Sequence, residues 1–237
     1  MTNDPYKEFR QAVQRAETTI DLARAALTIA ASDYPNLDID AYLSRIDGLA
    51  SAADARVGAD ADAYRSIAAL NYVFFKEHGF RGNREHYFDP KNSFLNEVLD
   101  RKTGIPISLS VLYIEVARRI GLSLQGIGFP GHFLVRYLGD NEEIVVDPFN
   151  QGEILSQKSL EAMLYRLYGG KIAFDPDLLE AISKKQILRR MLNNLKIIYL
   201  KKNDLIKGLS ILERLMVLDP ASGEDIRDRG LIYLQLE

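Results

Sequence analysis

The chain has no cysteine among its 237 residues. Without a thiol there is no disulfide staple, no zinc–thiolate or iron–sulfur site, and no cysteine nucleophile. Histidine is scarce: His78, His86 and His132 are the three copies, and no His-Glu-x-x-His spacing links them. No metal or cofactor is expected on that basis. Gly126-x-Gly128 lacks the third glycine of a phosphate loop and does not open a helix. Long apolar runs are missing too. The most apolar stretch, roughly 105–112, falls far short of the ~20 residues that cross a bilayer, and MTNDPYKEFRQAVQRAETT has no signal-peptide core. Neither sign of charge is in excess: 30 Lys+Arg face 33 Asp+Glu, a net charge of −3. That balance argues against a surface committed to nucleic acid. The expectation is a cytoplasmic protein with no membrane or nucleic-acid partner.

What is present is ordinary folded-protein material, 47% hydrophobic and 27% charged. The length suits one large domain, or one domain with an appendage. Residues 1–80 read as a helical part packing on the core. Phe9, Val13, Ala16, Ile20, Ala23 and Leu27 recur at helical spacing and predict one amphipathic helix. Tyr34-Pro35-Asn36 breaks the pattern, and Asp38 or Asp40 can cap a second, short helix carrying Tyr42, Leu43 and Ile46. A third carries Tyr64, Ile67, Ala68, Leu70, Tyr72 and Phe74 and closes at Gly79.

Residues 81–175 read as an α+β core. FRGNREHYFDPKNSFL is irregular but rich in large aromatics, the composition of a packed, ordered loop. A short helix at 95–101, a turn at Thr103-Gly104-Ile105-Pro106 and an apolar helix at 107–120 follow, with Gly121 as its cap. LSLQGIGFP, HFLVRYLG and EEIVVDPF predict three antiparallel strands, the last two joined at Gly139-Asp140-Asn141-Glu142. Residues 156–170 read as helix again.

Residues 184–237 differ in kind. In a helical repeat of about 34 residues, Leu192, Leu195, Tyr199, Gly208, Leu212 and Leu215 fall at the packing positions of a tetratricopeptide repeat ahead of Pro220. The same shift sends Leu192 to Ile226, Lys196 to Gly230 and Tyr199 to Tyr233, so a second, incomplete unit begins. An incomplete repeat leaves an apolar face for a continuation of the chain or for a second copy, which makes a homodimer one expected state. Lys184-Lys185, Arg189-Arg190 and Lys201-Lys202 read as a solvated helix face.

Chemistry concentrates in 103–149. A Gly-Ile-Pro turn opens an apolar helix, His132 opens a strand and Asp147 closes the next one. A nucleophile at a helix start gains from the free backbone N–H groups, a strand His can take its proton, and a neighbouring Asp can fix the ring's tautomer. NYVFFKEHGFRGN, YFDPKNSFLNEVLDRKTGIPISLSVLYIEVARRIGL, FPGHFLVRY and VVDPFNQG resemble the SirB-type branch of the transglutaminase-like proteins, relatives of papain-type proteases. In that branch tetratricopeptide-like helices follow the transglutaminase-like domain.

The resemblance implies a papain-like helix-plus-antiparallel-sheet core. It places His132 and Asp147 at the superfamily's histidine and aspartate. Aligned on Arg118 and Gly121, the superfamily's Gly-x-Cys becomes Gly104-Ile105-Pro106, so a proline stands where the nucleophile would be. Ser108 is the nearest hydroxyl, and it can also bond backbone groups at the helix start. Asn83, Asn96 and Pro106 are candidate cleft-lining positions; Asp89 and Asn92 are assigned to bonding the loop's own backbone. A protein-interaction or regulatory module follows, its polypeptide partner met through the C-terminal helices or the cleft. The alternative is a hydrolase or acyl-transfer enzyme that uses His132 and Asp147 with water or a serine.

Overall fold

The computed structural model describes residues 6–31, 33–58, 61–140 and 142–236. Four helices open it: α1 (Lys7–Val13), α2 (Leu22–Ala30), α3 (Ile39–Asp54) and α4 (Ala63–Asn71). The apolar stripe from Phe9 to Leu27 does not run through one helix as its spacing predicts. Ala16 is extended, a single 3-10 turn follows at Glu17–Thr19, and Asp21 restarts the chain by accepting the Arg24 N–H. A cap of this kind satisfies a donor that a new helix would otherwise leave free. Asp38 caps α3 through Ala41, and Asp62 caps α4 through Arg65.

The end of α4 widens into a π-turn over Tyr72–Glu77, where the His78 N–H reaches back to the Val73 carbonyl. Gly79, at φ 69°, closes it. Tyr64 and Tyr72, expected on the apolar stripe, are 49% and 51% exposed. The buried face is narrower than the pattern, carried by Ile67, Leu70, Val73 and Phe74. The two tyrosines lie at its margin, where a ring can pack while its hydroxyl stays wet.

In the centre are α5 (Leu95–Arg101) and α6 (Pro106–Arg119). Between them, two-residue strand β2 (Thr103–Gly104) pairs in parallel with β1 (Arg81–Gly82). Helix α6 is buried along nearly its whole length, under α2 and α3 on one side and the sheet on the other. Its apolar residues accordingly extend all round.

The sheet is antiparallel, in the order β3 (Leu124–Ile127), β4 (Leu134–Leu138), β5 (Glu143–Asp147), β6 (Glu153–Leu155). The strand signals predict three; the fourth arises because Gln151 and Gly152, at φ 58° and 74°, fold the chain back onto β5. Only glycine fits the second of these positions. A Cβ on Gly152 would lie 1.9 Å from Asn71 Oδ1, and the Asn71 amide donates to the Gly152 carbonyl. Val135, Ile144 and Val146 face the main core, while Leu134, Val145 and Leu155 face a smaller one under α7 (Gln157–Tyr168).

The chain ends in α8 (Lys184–Lys201), α9 (Leu205–Leu218) and α10 (Gly223–Leu236). Leu192, Leu195, Tyr199, Gly208, Leu212 and Leu215 are all buried, as the repeat register expects. Helix α8 is no appendage: Ile187, Leu188, Met191 and Leu192 belong to the core that α2 and α6 share. Segments 1–80, 81–175 and 184–237 are thus joined by one continuous apolar core. In the second unit, Ile226 and Tyr233 stay 46% and 48% exposed. Among the described residues no helix is long and apolar enough to cross a membrane.

Candidate functional site

Strand register brings the histidine and the aspartate together. Val135 pairs with Val146, so Asp147 falls opposite Leu134, two residues from His132 and on the same side of the pleat. Gly131, at φ 67°, turns the chain, so His132 sits just ahead of β4 rather than on it. His132 Nε2 lies 2.8 Å from Asp147 Oδ2.

The carboxylate is fully enclosed and fully used. Asp147 has no exposed surface. Its Oδ2 also accepts from Asn150 Nδ2 at 2.6 Å, and its Oδ1 from the N–H groups of Phe149 and Asn150 at 3.0 and 3.2 Å. Burial of a carboxylate is tolerated when its lone pairs are satisfied in this way. Asp147 thereby starts the short turn at Pro148–Asn150 and fixes the imidazole from one side.

The other side of the ring is fixed by packing. Phe149 stands edge-on to His132 with centroids 5.8 Å apart. Phe149 in turn leans on β1, where a Cβ on Gly82 would come within 2.5 Å of its ring. The His132 carbonyl accepts from Arg190 Nη2 on α8, which also bonds the Phe129 carbonyl at 3.3 Å. The His132 side chain keeps 12% exposure. With Nε2 donating to the carboxylate, a neutral ring leaves a lone pair on Nδ1, and Nδ1 has no protein partner among the described residues. The arrangement can orient an imidazole; it can equally serve as a satisfied polar pair.

At the start of α6 both candidate positions, Pro106 and Ser108, are buried. Ser108 Oγ donates to the Asn92 carbonyl at 2.6 Å and accepts from the Ile105 N–H at 3.1 Å. Its hydroxyl is fully buried and pins the preceding loop to the helix. Gly104 leaves room for it: a Cβ there would stand 2.8 Å from Ser108 Oγ.

The loop positions divide. Asn83 is half-buried, its Nδ2 bonded to Asn92 Oδ1 and its Oδ1 to the His86 N–H. Asn92 Nδ2 holds the carbonyls of His86 and Tyr87, and Asp89 caps Lys91 while pairing with Arg101. Asn96 is 2% exposed, with no partner for Oδ1 among the described residues. Of the three candidate cleft positions, two are therefore packed inside and the third braces the loop. No group of three or more metal-ligating side chains occurs among the described residues. A recess of about 480 Å³ lies elsewhere, beside Gln11, Arg24 and Asp40.

Two contributors escape the sequence pattern. Asn150 is the residue that saturates Asp147, and its signal was the Asp-Pro-x-Asn run, a carboxylate placed to cap its own turn. Arg190 belongs to a charge run that reads as solvated. Instead Lys184 bonds the Ile20 carbonyl, Arg189 pairs with Asp225, and Arg190 holds His132. Burial holds the Arg190 guanidinium below its ordinary value.

Comparison with known proteins bears on both halves of the molecule. The transglutaminase-like superfamily profile matches residues 40–193, and a tetratricopeptide repeat profile matches residues 195–237. A UPF0162 protein of Xylella fastidiosa is 38% identical over 223 residues, covering 93% of this chain and 79% of that one. A UPF0162 protein of Vibrio cholerae is 32% identical over 219 residues, 92% of this chain and 81% of its own length. F-box only protein 21 of Mus musculus is 36% identical over 142 residues, 54% of this chain and 21% of that protein. No solved structure matches. The chain belongs to the transglutaminase-like superfamily, in the SirB-type arrangement with tetratricopeptide-like helices following.

Proposed function

We propose that this member of the transglutaminase-like superfamily is a non-catalytic protein-interaction module. The reading is carried by the helix start: buried Pro106 stands where the resemblance puts the nucleophile, and the Ser108 hydroxyl is spent on the Asn92 carbonyl. His132 and Asp147 then act as a brace that ties β4, β5 and the turn at 148–150 together. Tetratricopeptide helices fused to the same core fit a role in binding polypeptide, since stacked helix pairs present extended surfaces. The test uses the full chain. Ester and amide hydrolysis by the wild type should stay at the level of His132→Ala, while a partner captured by the wild type should still be captured by His132→Ala. A rate that falls to background in His132→Ala overturns the reading.

A second reading has one observation of its own, the unpartnered Nδ1 of His132 with part of its ring exposed. There His132 is a general base acting on water, with Asp147 setting the tautomer. The same hydrolysis assay separates the two.

A further inference from the structure

Beside His132 the rings form a ladder that reaches the surface. Phe149 stands 6.5 Å from Tyr87, and Tyr87 stands 5.4 Å from Phe88, each pair edge-on at 75° and 76°. Phe88 is 59% exposed. Three cations line the ladder. The Arg84 guanidinium lies 5.1 Å over the Phe149 ring and also donates to Asn150. Lys201 Nζ lies 4.9 Å over Phe88, and Arg190, charge-coupled to Tyr87, lies 5.4 Å over the buried Phe133 ring and hydrogen-bonds the carbonyls of Phe129 and His132.

None of the three forms an ion pair with a carboxylate among the described residues. Other cations of this net-negative chain do, including Arg24, Arg45, Arg56, Arg101, Arg119, Lys196 and Lys207. Two of the acids nearby are already committed: Asp89 to Arg101, and Asp147 to His132 and Asn150. Uncompensated cations along a ring ladder that runs from buried Phe149 out to exposed Tyr87 and Phe88 make a surface with its counter-charge still to come.

We infer that the face formed by Arg84, Tyr87, Phe88, Arg190 and Lys201, backed by the buried Phe149 ring, docks an acidic peptide segment, with Asp or Glu side chains meeting the cations and apolar ones meeting Tyr87 and Phe88. This rests on the interaction reading above and names the partner's chemistry. Single-stranded nucleic acid fits worse. Base stacking requires free ring faces, and here Phe149 is buried, Lys201 occupies one face of Phe88, and the rings meet one another edge to face.

The test is fluorescence anisotropy on the full chain with a labelled Glu/Leu peptide of about a dozen residues, a Lys/Leu peptide of equal length and an oligo-dT. The acidic peptide should bind, weaken as salt rises, and weaken by about tenfold in Arg84→Gln/Lys201→Ala. Lys158→Ala, an exposed lysine on α7, should leave binding unchanged. Circular dichroism and thermal melting of the double variant must match the wild type. Phe88→Ser, which removes an exposed ring and no charge, gives an independent loss of affinity. The proposal is overturned if the acidic peptide fails to bind, if the double variant binds it as tightly as the wild type, or if the Lys/Leu peptide or oligo-dT binds better. A partner captured equally by the double variant and the wild type overturns the placement on this face while leaving the interaction function standing.

Discussion

Among the described residues two carboxylates, Asp147 and Asp225, have no exposed surface, and they are held by opposite means. Asp147, at the corner of the sheet, is met by an imidazole, an amide and two backbone N–H groups. Asp225, on α10 of the repeat, is met by Lys196 at 3.0 Å and Arg189 at 2.6 Å, with Glu224 and Asp228 also on Lys196. The first is a hydrogen-bond hub whose neighbours are formally uncharged when His132 is neutral. The second is a network of full charges joining α8 to α10. The difference separates two uses of a buried acid: at the sheet it sets the geometry of one ring, whereas in the repeat it staples helices whose apolar contact is incomplete. Exposed Ile226 and Tyr233 show how little apolar surface α10 itself commits.

Substituting each acid by its amide tests that distinction, because the amide keeps shape and some hydrogen bonding while deleting charge. The largest effect belongs to the repeat. Asp225→Asn leaves Lys196, 5% exposed in its side chain, and Arg189 short of one counter-charge. A loss of about 3 kcal/mol in urea unfolding is expected, with Asp225→Ala no milder than Asp225→Asn. Equal costs at Asp225 and Asp147 would erase the contrast.

Acid titration reads the same network without mutation. Burial by itself would raise the Asp225 carboxyl, but bonds from Ser222, Lys196 and Arg189 outweigh it and hold the group below its ordinary value of 3.8. A depressed folded value means the stabilisation is present above the unfolded value and is lost as pH falls through the folded one. Unfolding free energy should therefore drop between pH 5 and about pH 3 by more in the wild type than in Asp225→Asn, the difference reaching about 1 kcal/mol. Parallel curves would show that Asp225 takes no part in acid stability.

Between the two carboxylates in expected effect comes Ser108, a neutral hub. Ser108→Ala strands the Ile105 N–H and the Asn92 carbonyl, both from buried residues. It should cost about 2 kcal/mol and leave any hydrolytic background untouched. A change in hydrolysis without a change in stability would put the serine into chemistry after all.

This residue also marks what the sequence made legible. The turn, the helix and the strand order could be read from Gly104 to Asp147, because periodicity and turn residues are local signals. The tetratricopeptide register was readable for the same reason, as a pattern repeated along the chain. What Ser108 bonds to was not, since the Asn92 carbonyl lies 16 residues away in an irregular loop. Arg190 hid for a related reason. A cation's partner is set by tertiary placement, and α8 happens to pass beneath His132. The break before α2 is not legible in the sequence because apolar spacing stays in phase across a short extended link, and only the capping geometry of Asp21 betrays it.

The smallest stability effect, and the sharpest test of the site, is Asp147→Asn. The new Oδ1 can keep the N–H groups of Phe149 and Asn150, so the turn at 148–150 survives. The new Nδ2 faces His132 Nε2, a donor against a donor unless the ring moves its proton to Nδ1. It also opposes the Asn150 amide, which loses its acceptor. A cost of about 1 kcal/mol is expected, together with a switch of the His132 tautomer visible in nitrogen-15 chemical shifts. A brace tolerates that switch: captured partners and background hydrolysis stay as in the wild type. A general base does not, because the lone pair on Nδ1 is the one that the change removes. Tautomer and rate, followed together in one variant, thus decide whether the imidazole is held there for structure or for water.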